Sequence, residues 1–255
     1  YASNHNKMRV NLITNGTLIT PQKAREFKEA GLSSAQVSIE SAIPEEHDRI
    51  TGIKGSHQAS VNGLKSLKDA GIIVHPHFTI CSMNKDNLDQ YPEFCRRLGV
   101  ERFSSNLVIP SGRGESKDLS VEYSEIGDIV SRIQSISQQA GIEYMWYSPT
   151  PLCLFNPVAA GFGNKGCSAC EGLLSVDPTG NILPCSSWPE PVGNLLEEGF
   201  EALWFNKRSE YIREKRAAPE KCRDCRDFAV CQGACPLYFN AHGCQELVSV
   251  WDSMG

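Results

Sequence analysis

Eight of the chain's eleven cysteines fall between Cys167 and Cys244, and four form the run Cys222-x2-Cys225-x5-Cys231-x3-Cys235, followed at once by Pro236. Two thiolates in C-x2-C spacing reach one metal centre from a single turn, and a third a few residues on completes three corners of a cubane. The fourth corner must come from elsewhere. In two-cluster bacterial ferredoxins a run ending in C-x3-C-P sends its last cysteine to the other cluster, and CQGACP repeats that local pattern. Upstream stand Cys167-x2-Cys170 and Cys185; downstream stands Cys244. The expected sorting is Cys167, Cys170, Cys185 and Cys235 on one cluster, with Cys222, Cys225, Cys231 and Cys244 on the other. Cys153, in SPTPLC, is an alternative to Cys167, whereas Cys81 and Cys95 read as packing thiols. Two zinc sites of four cysteines each are the competing interpretation of the paired C-x2-C motifs. Arg213, Lys215, Arg216, Lys221, Arg223 and Arg226 surround the run, chiefly as a solvated face, with Arg223 and Arg226 placed to favour neighbouring thiolates.

Ahead of the cysteines, one pattern recurs from residue 9 to about 148: a β-branched run, a polar loop, an amphipathic segment and a glycine. Helices are expected to end at Gly31, Gly71, Gly99 and Gly141, and strands to occupy 10–14, 35–39, 72–80, 102–109 and 142–146. Thr20 and Pro21 punctuate the first helix as N-cap and first turn. Alternating strands and helices predict a parallel sheet, either open and doubly wound or part of a barrel, with ligands beyond the strands' C-terminal ends. The prolines at 149, 151 and 157 place a boundary near 150, so residues 1–150 and 151–255 are expected to be separate domains. In the second, a hairpin is expected around Asp177 to Gly180, and a helix of about two turns carrying Phe200, Leu203 and Trp204.

The formal net charge is −5, with 25 Lys plus Arg against 30 Asp plus Glu, which disfavours nucleic acid as a partner. No run approaches the roughly 20 apolar residues of a membrane span. Eleven cysteines, an odd number with eight gathered between Cys167 and Cys244, do not suit a secreted disulfide framework spread over the chain, so a cytosolic location is expected. Tyr1 and the residues after it read like the tail of a helix, so the chain is expected to be a piece of a longer protein.

With both halves read, the chain resembles radical SAM enzymes that carry a SPASM domain. The pattern C-x(9 to 15)-G-x4-C, then C-x2-C-x5-C-x3-C, then C is met by Cys170, Gly180, Cys185, Cys222, Cys225, Cys231, Cys235 and Cys244. VDPTGNILPC and VGNL are similar to the family's hairpin and following segment, and LITNGT, VSIES, HDRITGIKGS and VIPSGRG occur in the family's order. The resemblance implies a partial (β/α)6 barrel followed by a domain with two auxiliary 4Fe-4S clusters. A third 4Fe-4S cluster and S-adenosylmethionine would belong to the full-length protein, since no C-x3-C-x2-C loop occurs in these 255 residues. Carried over by position, Thr14, Asn15 and Gly16 would border S-adenosylmethionine, Ser38 and Glu40 would contact its sugar or methionine portion, and Asn84 would lie nearby. Thr51 stands where many relatives have Arg, leaving Arg49 or Lys54 to meet the carboxylate. Ser186 replaces the Asp of sulfatase-maturating relatives, which disfavours that activity. The implied substrate is a peptide or small-molecule precursor, and the implied electron donor a flavodoxin or ferredoxin. A ferredoxin-like electron carrier and a zinc-stabilised interaction module are the alternatives; neither needs a βα half with polar strand ends.

Overall fold

The computed structural model describes residues 1–115 and 119–254. These residues fall into two compact units, one of residues 1–107 and 128–147, the other of 108–127 and 148–255.

In the first unit, β1 (Asn11–Thr14), β2 (Ser34–Ser38), β3 (Ile73–Ile80), β4 (Arg102–Leu107) and β5 (Glu143–Trp146) form one parallel sheet whose spatial order is their chain order. A doubly wound sheet reverses strand order partway along. This one does not, so the barrel alternative is the one realised. The connecting helices are α1 (Pro21–Glu29), α2 (Pro44–Thr51), α3 (Ser56–Asp69), α4 (Tyr91–Leu98) and α5 (Tyr123–Ala140), the last beginning in the second unit. Helix α1 starts as its sequence dictates, with the Thr20 hydroxyl accepting the Lys23 N–H at 3.2 Å and Pro21 in the first turn. The four glycines expected to close βα units all have positive φ.

Side chains alternate across the sheet, and the two faces differ in chemistry. Ala35, Val37, Ile39, Phe78, Ile80, Phe103 and Trp146 are buried on the face that carries α3 and α4. Opposite lie Gln36, Ser38, His75, His77, Thr79 and Ser104. His77 Nδ1 and Ser104 Oγ are 2.8 Å apart, and His75 Nε2 and Gln36 Oε1 3.3 Å. One contact fixes how closely α3 approaches: a Cβ on Gly63 would sit 2.1 Å from the Gly16 carbonyl oxygen.

The second unit contains a small antiparallel sheet, β6 (Ser175–Val176), β7 (Asn181–Leu183) and β8 (Gly193–Asn194). The expected hairpin is present. Asp177 Oδ1 accepts the Thr179 N–H at 2.8 Å and the Asn181 N–H at 3.0 Å, while Gly180 takes φ +88°. Six short helices follow: α6 (Phe200–Trp204), α7 (Lys207–Arg213), α8 (Glu220–Arg223), α9 (Phe228–Cys231), α10 (Pro236–His242) and α11 (Gln245–Met254). The expected two-turn helix is shorter, because Asn206 accepts the N–H groups of Arg208 and Ser209 and starts α7. Only Leu203 of its expected apolar face is fully buried; Phe200 is exposed and stacks on Trp204.

Candidate functional site

Cys167, Cys170, Cys185 and Cys235 gather in the second unit around a core of Ala169, Ile182, Trp188, Val192, Leu203 and Ile212. Cys170 is buried in a left-handed conformation, φ +54°, that a non-glycine residue holds only under constraint. The constraint is visible. Arg213 Nε donates to the Cys170 carbonyl at 2.9 Å, and Lys215 Nζ donates to the Cys167 carbonyl and to Glu171 Oε2. The basic residues that serve this site are therefore Arg213 and Lys215. Arg223 instead donates to the Arg216 carbonyl at 2.8 Å, and Arg226 is 92% exposed beside Asp227. Burial first, then the sulfurs of Cys167 and Cys185, push the Cys235 thiol up to about 12, while the backbone N–H groups of Tyr238 and Leu237, at the start of α10, pull it down.

A second group forms around α8 and α9. Cys153, Cys222, Cys225 and Cys231 line one cavity of about 50 Å³, walled by Phe228, Phe239, Leu247 and Trp251. Burial, then the sulfurs of Cys231, Cys153, Cys225 and Cys244 in that order, push the Cys222 thiol up to about 12. Thiols buried in this way hold their protons until a metal displaces them. Cys153 lies with this second group and not with Cys170, Cys185 and Cys235, where its replacing Cys167 would have put it. Cys244 is near Cys222 but does not line the cavity. Cys81 and Cys95 are buried in the first unit.

Donor chemistry and spacing together test what these groups fit. Among the described residues no three His, Cys, Asp or Glu side chains converge closely enough to hold a single ion. A tetrahedral zinc site draws its four sulfurs to about 2.3 Å from one atom. Sulfurs that ring a space suit a polynuclear cluster better, and all-cysteine donors are what iron–sulfur cubanes require.

At the strand ends of the first unit, Glu40 is the distinctive group. Its Oε2 accepts the Thr79 N–H at 2.8 Å, its backbone N–H donates to His47 Nδ1 at 2.9 Å, and burial raises its carboxyl to about 7 despite the Thr79 bond. Ser38 alternates with it on the polar face. Thr14 accepts the Gly16 N–H at 3.0 Å, and Asn15 accepts from the backbone and hydroxyl of Thr17, so both shape the turn after β1. Asn84 is buried and fully engaged: it accepts from Cys81 N and donates to the carbonyls of Glu40 and Thr79. Its role is to fix the loop after β3 beside Glu40. Arg49 Nη2 stands 4.0 Å from Glu46 Oε2.

The sequence reading gave no role to Glu46 or Asp48. Glu46 is buried and accepts from Ser41 Oγ and Asn87 Nδ2, each at 2.7 Å. Asp48 accepts from Gly55 N, from Ser56 Oγ at 3.1 Å and from His57 N at 2.9 Å, clipping the turn into α3. The signal was in HDRITGIKGS, an acid followed by a Gly-Ser helix start.

Sheet and sulfur nests together define a class: α/β-barrel proteins that also carry a cysteine-lined cluster-binding module. Family profiles agree, the radical SAM superfamily matching residues 1–98 and the SPASM iron-sulfur cluster-binding domain residues 167–226. The chain belongs to the radical SAM superfamily and carries a SPASM domain. It is 26% identical over 253 residues to the AdoMet-dependent heme synthase of Methanosarcina barkeri, covering 92% of this chain and 72% of that one. It is 27% identical over 255 residues to the mycofactocin maturase MftC of Mycolicibacterium smegmatis, covering 92% and 60%. Streptococcus suis SuiB bound to its precursor peptide SuiA shares the fold, with TM-score 0.74 at 15% identity over 92% of this chain and 56% of that one.

Proposed function

We propose that residues 151–255 hold two auxiliary 4Fe-4S clusters, one on Cys167, Cys170, Cys185 and Cys235, the other built on Cys222, Cys225 and Cys231. Residues 1–150 are the part of a radical SAM barrel that borders S-adenosylmethionine. The full-length protein, with a third cluster, uses S-adenosylmethionine to modify a peptide or cofactor precursor by radical chemistry; relatives named AdoMet-dependent heme synthase and PqqA peptide cyclase support the two substrate classes. A small electron-transfer protein such as a flavodoxin or ferredoxin is the reductant.

One observation carries this reading: cysteines far apart in sequence come together in two groups, one around the core of the second unit and one lining a cavity. When bound, the clusters supply one-electron chemistry that no protein side chain provides. The chain's own residues do the rest. Backbone N–H groups of Ser187 and Trp188 face Cys185, and those of Leu237 and Tyr238 face Cys235, aimed at sulfurs whose hydrogen bonding tunes reduction potential. Phe239, Leu247 and Trp251 give the second nest an apolar wall, which lowers the dielectric around its sulfurs. In the first unit, Thr79 and His47 fix Glu40 at the head of a polar sheet face suited to a sugar's hydroxyls.

Anaerobic preparation tests the proposal. A brown chromophore with about eight irons and eight sulfides per chain is expected, falling to about half in Cys222→Ser. Colourless protein that contains zinc would end it.

A further inference from the structure

We infer that Cys153 is the fourth thiolate of the second cluster site, closing the set of Cys222, Cys225 and Cys231 in the position that the sequence pattern assigns to Cys244. The inference rests on the iron–sulfur reading above and deepens it.

Three observations point the same way. Cys153 lines the cavity with the other three cysteines, and its neighbours Pro151 and Leu152 line it too. The Leu152 N–H donates to Cys231 Sγ at 3.5 Å, so the segment before Cys153 is already bonded to one of the sulfurs it would share a cluster with. The segment is also held in place: the N–H groups of Leu154 and Phe155 both donate to the Pro151 carbonyl at 3.0 Å, and Tyr123 OH donates to the Pro149 carbonyl at 2.8 Å. Phe155 packs where a Cβ on Gly127 would come within 3.3 Å. A ligand carried on a pre-formed loop loses little entropy on binding.

Cys244 occupies a different place. It stands at the start of α11, its carbonyl accepting the Leu247 N–H at 2.9 Å. Leu247 and Trp251 of that helix reach the cavity wall, whereas Cys244, though near Cys222, does not line it. In this arrangement α11 covers the site with apolar side chains, and the loop around residue 153 completes it. Each of the four thiols gives up its proton to solvent as iron binds, and no redox partner is needed for ligation itself.

Differential alkylation of the iron-loaded wild-type chain tests this without any variant. Iodoacetamide is added anaerobically before and after iron is stripped by a chelator, and labelled cysteines are read by mass spectrometry. Cys153 is exposed enough to react when free, so it should be protected in the loaded chain and labelled after stripping. Cys244 should be labelled in both. Labelling of Cys153 in the loaded chain, with Cys244 protected, would overturn the assignment while leaving the two-cluster reading intact; a wild-type chain that takes up no iron would remove both. A second arm compares Cys153→Ser with Cys244→Ser: iron should fall from about eight to about four per chain in the first and stay near eight in the second. Retention of the full complement by a folded Cys153→Ser chain would also overturn it.

Discussion

Glu40 shows how a single side chain links the stability of the first unit to pH. Burial raises its carboxyl to about 7, above the ordinary value of 4.5, so folding favours the protonated form. The stabilisation is complete below pH 4.5 and is lost as pH rises through 7. Thermal melts should therefore show a lower midpoint at pH 8 than at pH 5, and Glu40→Gln should flatten that difference. An unchanged pH dependence in the variant would show that the carboxyl titrates as an exposed one does. Arg213 acts by geometry instead. Its guanidinium donates to the carbonyls of Cys170 and Trp204 and lies 4.9 Å from the Trp204 ring, so Arg213→Met leaves two carbonyls without that donor. A loss of roughly 1 to 3 kcal/mol is expected in the cluster-bearing unit, read as easier iron release to a chelator. The sequence showed Arg213 as one of six basic residues and did not separate it from the others. The distinction depends on which carbonyls a left-handed Cys170 presents, and that is settled only in the folded chain.

Elements were legible wherever local chemistry sufficed. Strands β1 to β5 and the ends of their helices follow from β-branched runs and terminal glycines, since both signals act within a few residues. The helix beginning at Phe200 was expected to run about two turns because Phe200, Leu203 and Trp204 are spaced to make one apolar face. Asn206 decided otherwise, as a cap outcompetes one more turn of a short helix. The partnership of Cys153 with Cys222, Cys225 and Cys231 was not legible at all. Loop-to-loop meetings across the chain leave no periodicity to read. Helix α3 provides a prediction whose sign is set by packing. Glycine to alanine within a helix ordinarily stabilises by about 1 kcal/mol. At Gly63 the added methyl would meet the Gly16 carbonyl at 2.1 Å, so Gly63→Ala should destabilise by about 2 kcal/mol or more, measured by denaturant titration.

For the whole molecule, the contrast between the units matters most. The first has a contiguous apolar layer from Ala24 to Trp146. The second has short strands, one-turn helices and sulfur nests, an architecture that would draw folding energy from the proposed clusters. Iron removal should loosen residues 148–254 while the parallel sheet persists. Hydrogen exchange would then rise in the second unit alone, and a uniform rise across both would contradict the separation. No helix among the described residues is long and apolar enough to cross a membrane.

The ordering of the sulfurs along the chain has a consequence for biosynthesis. The first unit's strands pair with their immediate predecessors, so each can add to the sheet as it emerges from the ribosome. The nest begun by Cys167, Cys170 and Cys185 is different, because Cys235 completes it only after the whole intervening stretch has been translated. If that nest holds the proposed cluster, iron can fill it only once Cys235 has been made, and until then its three free thiols would be open to oxidation.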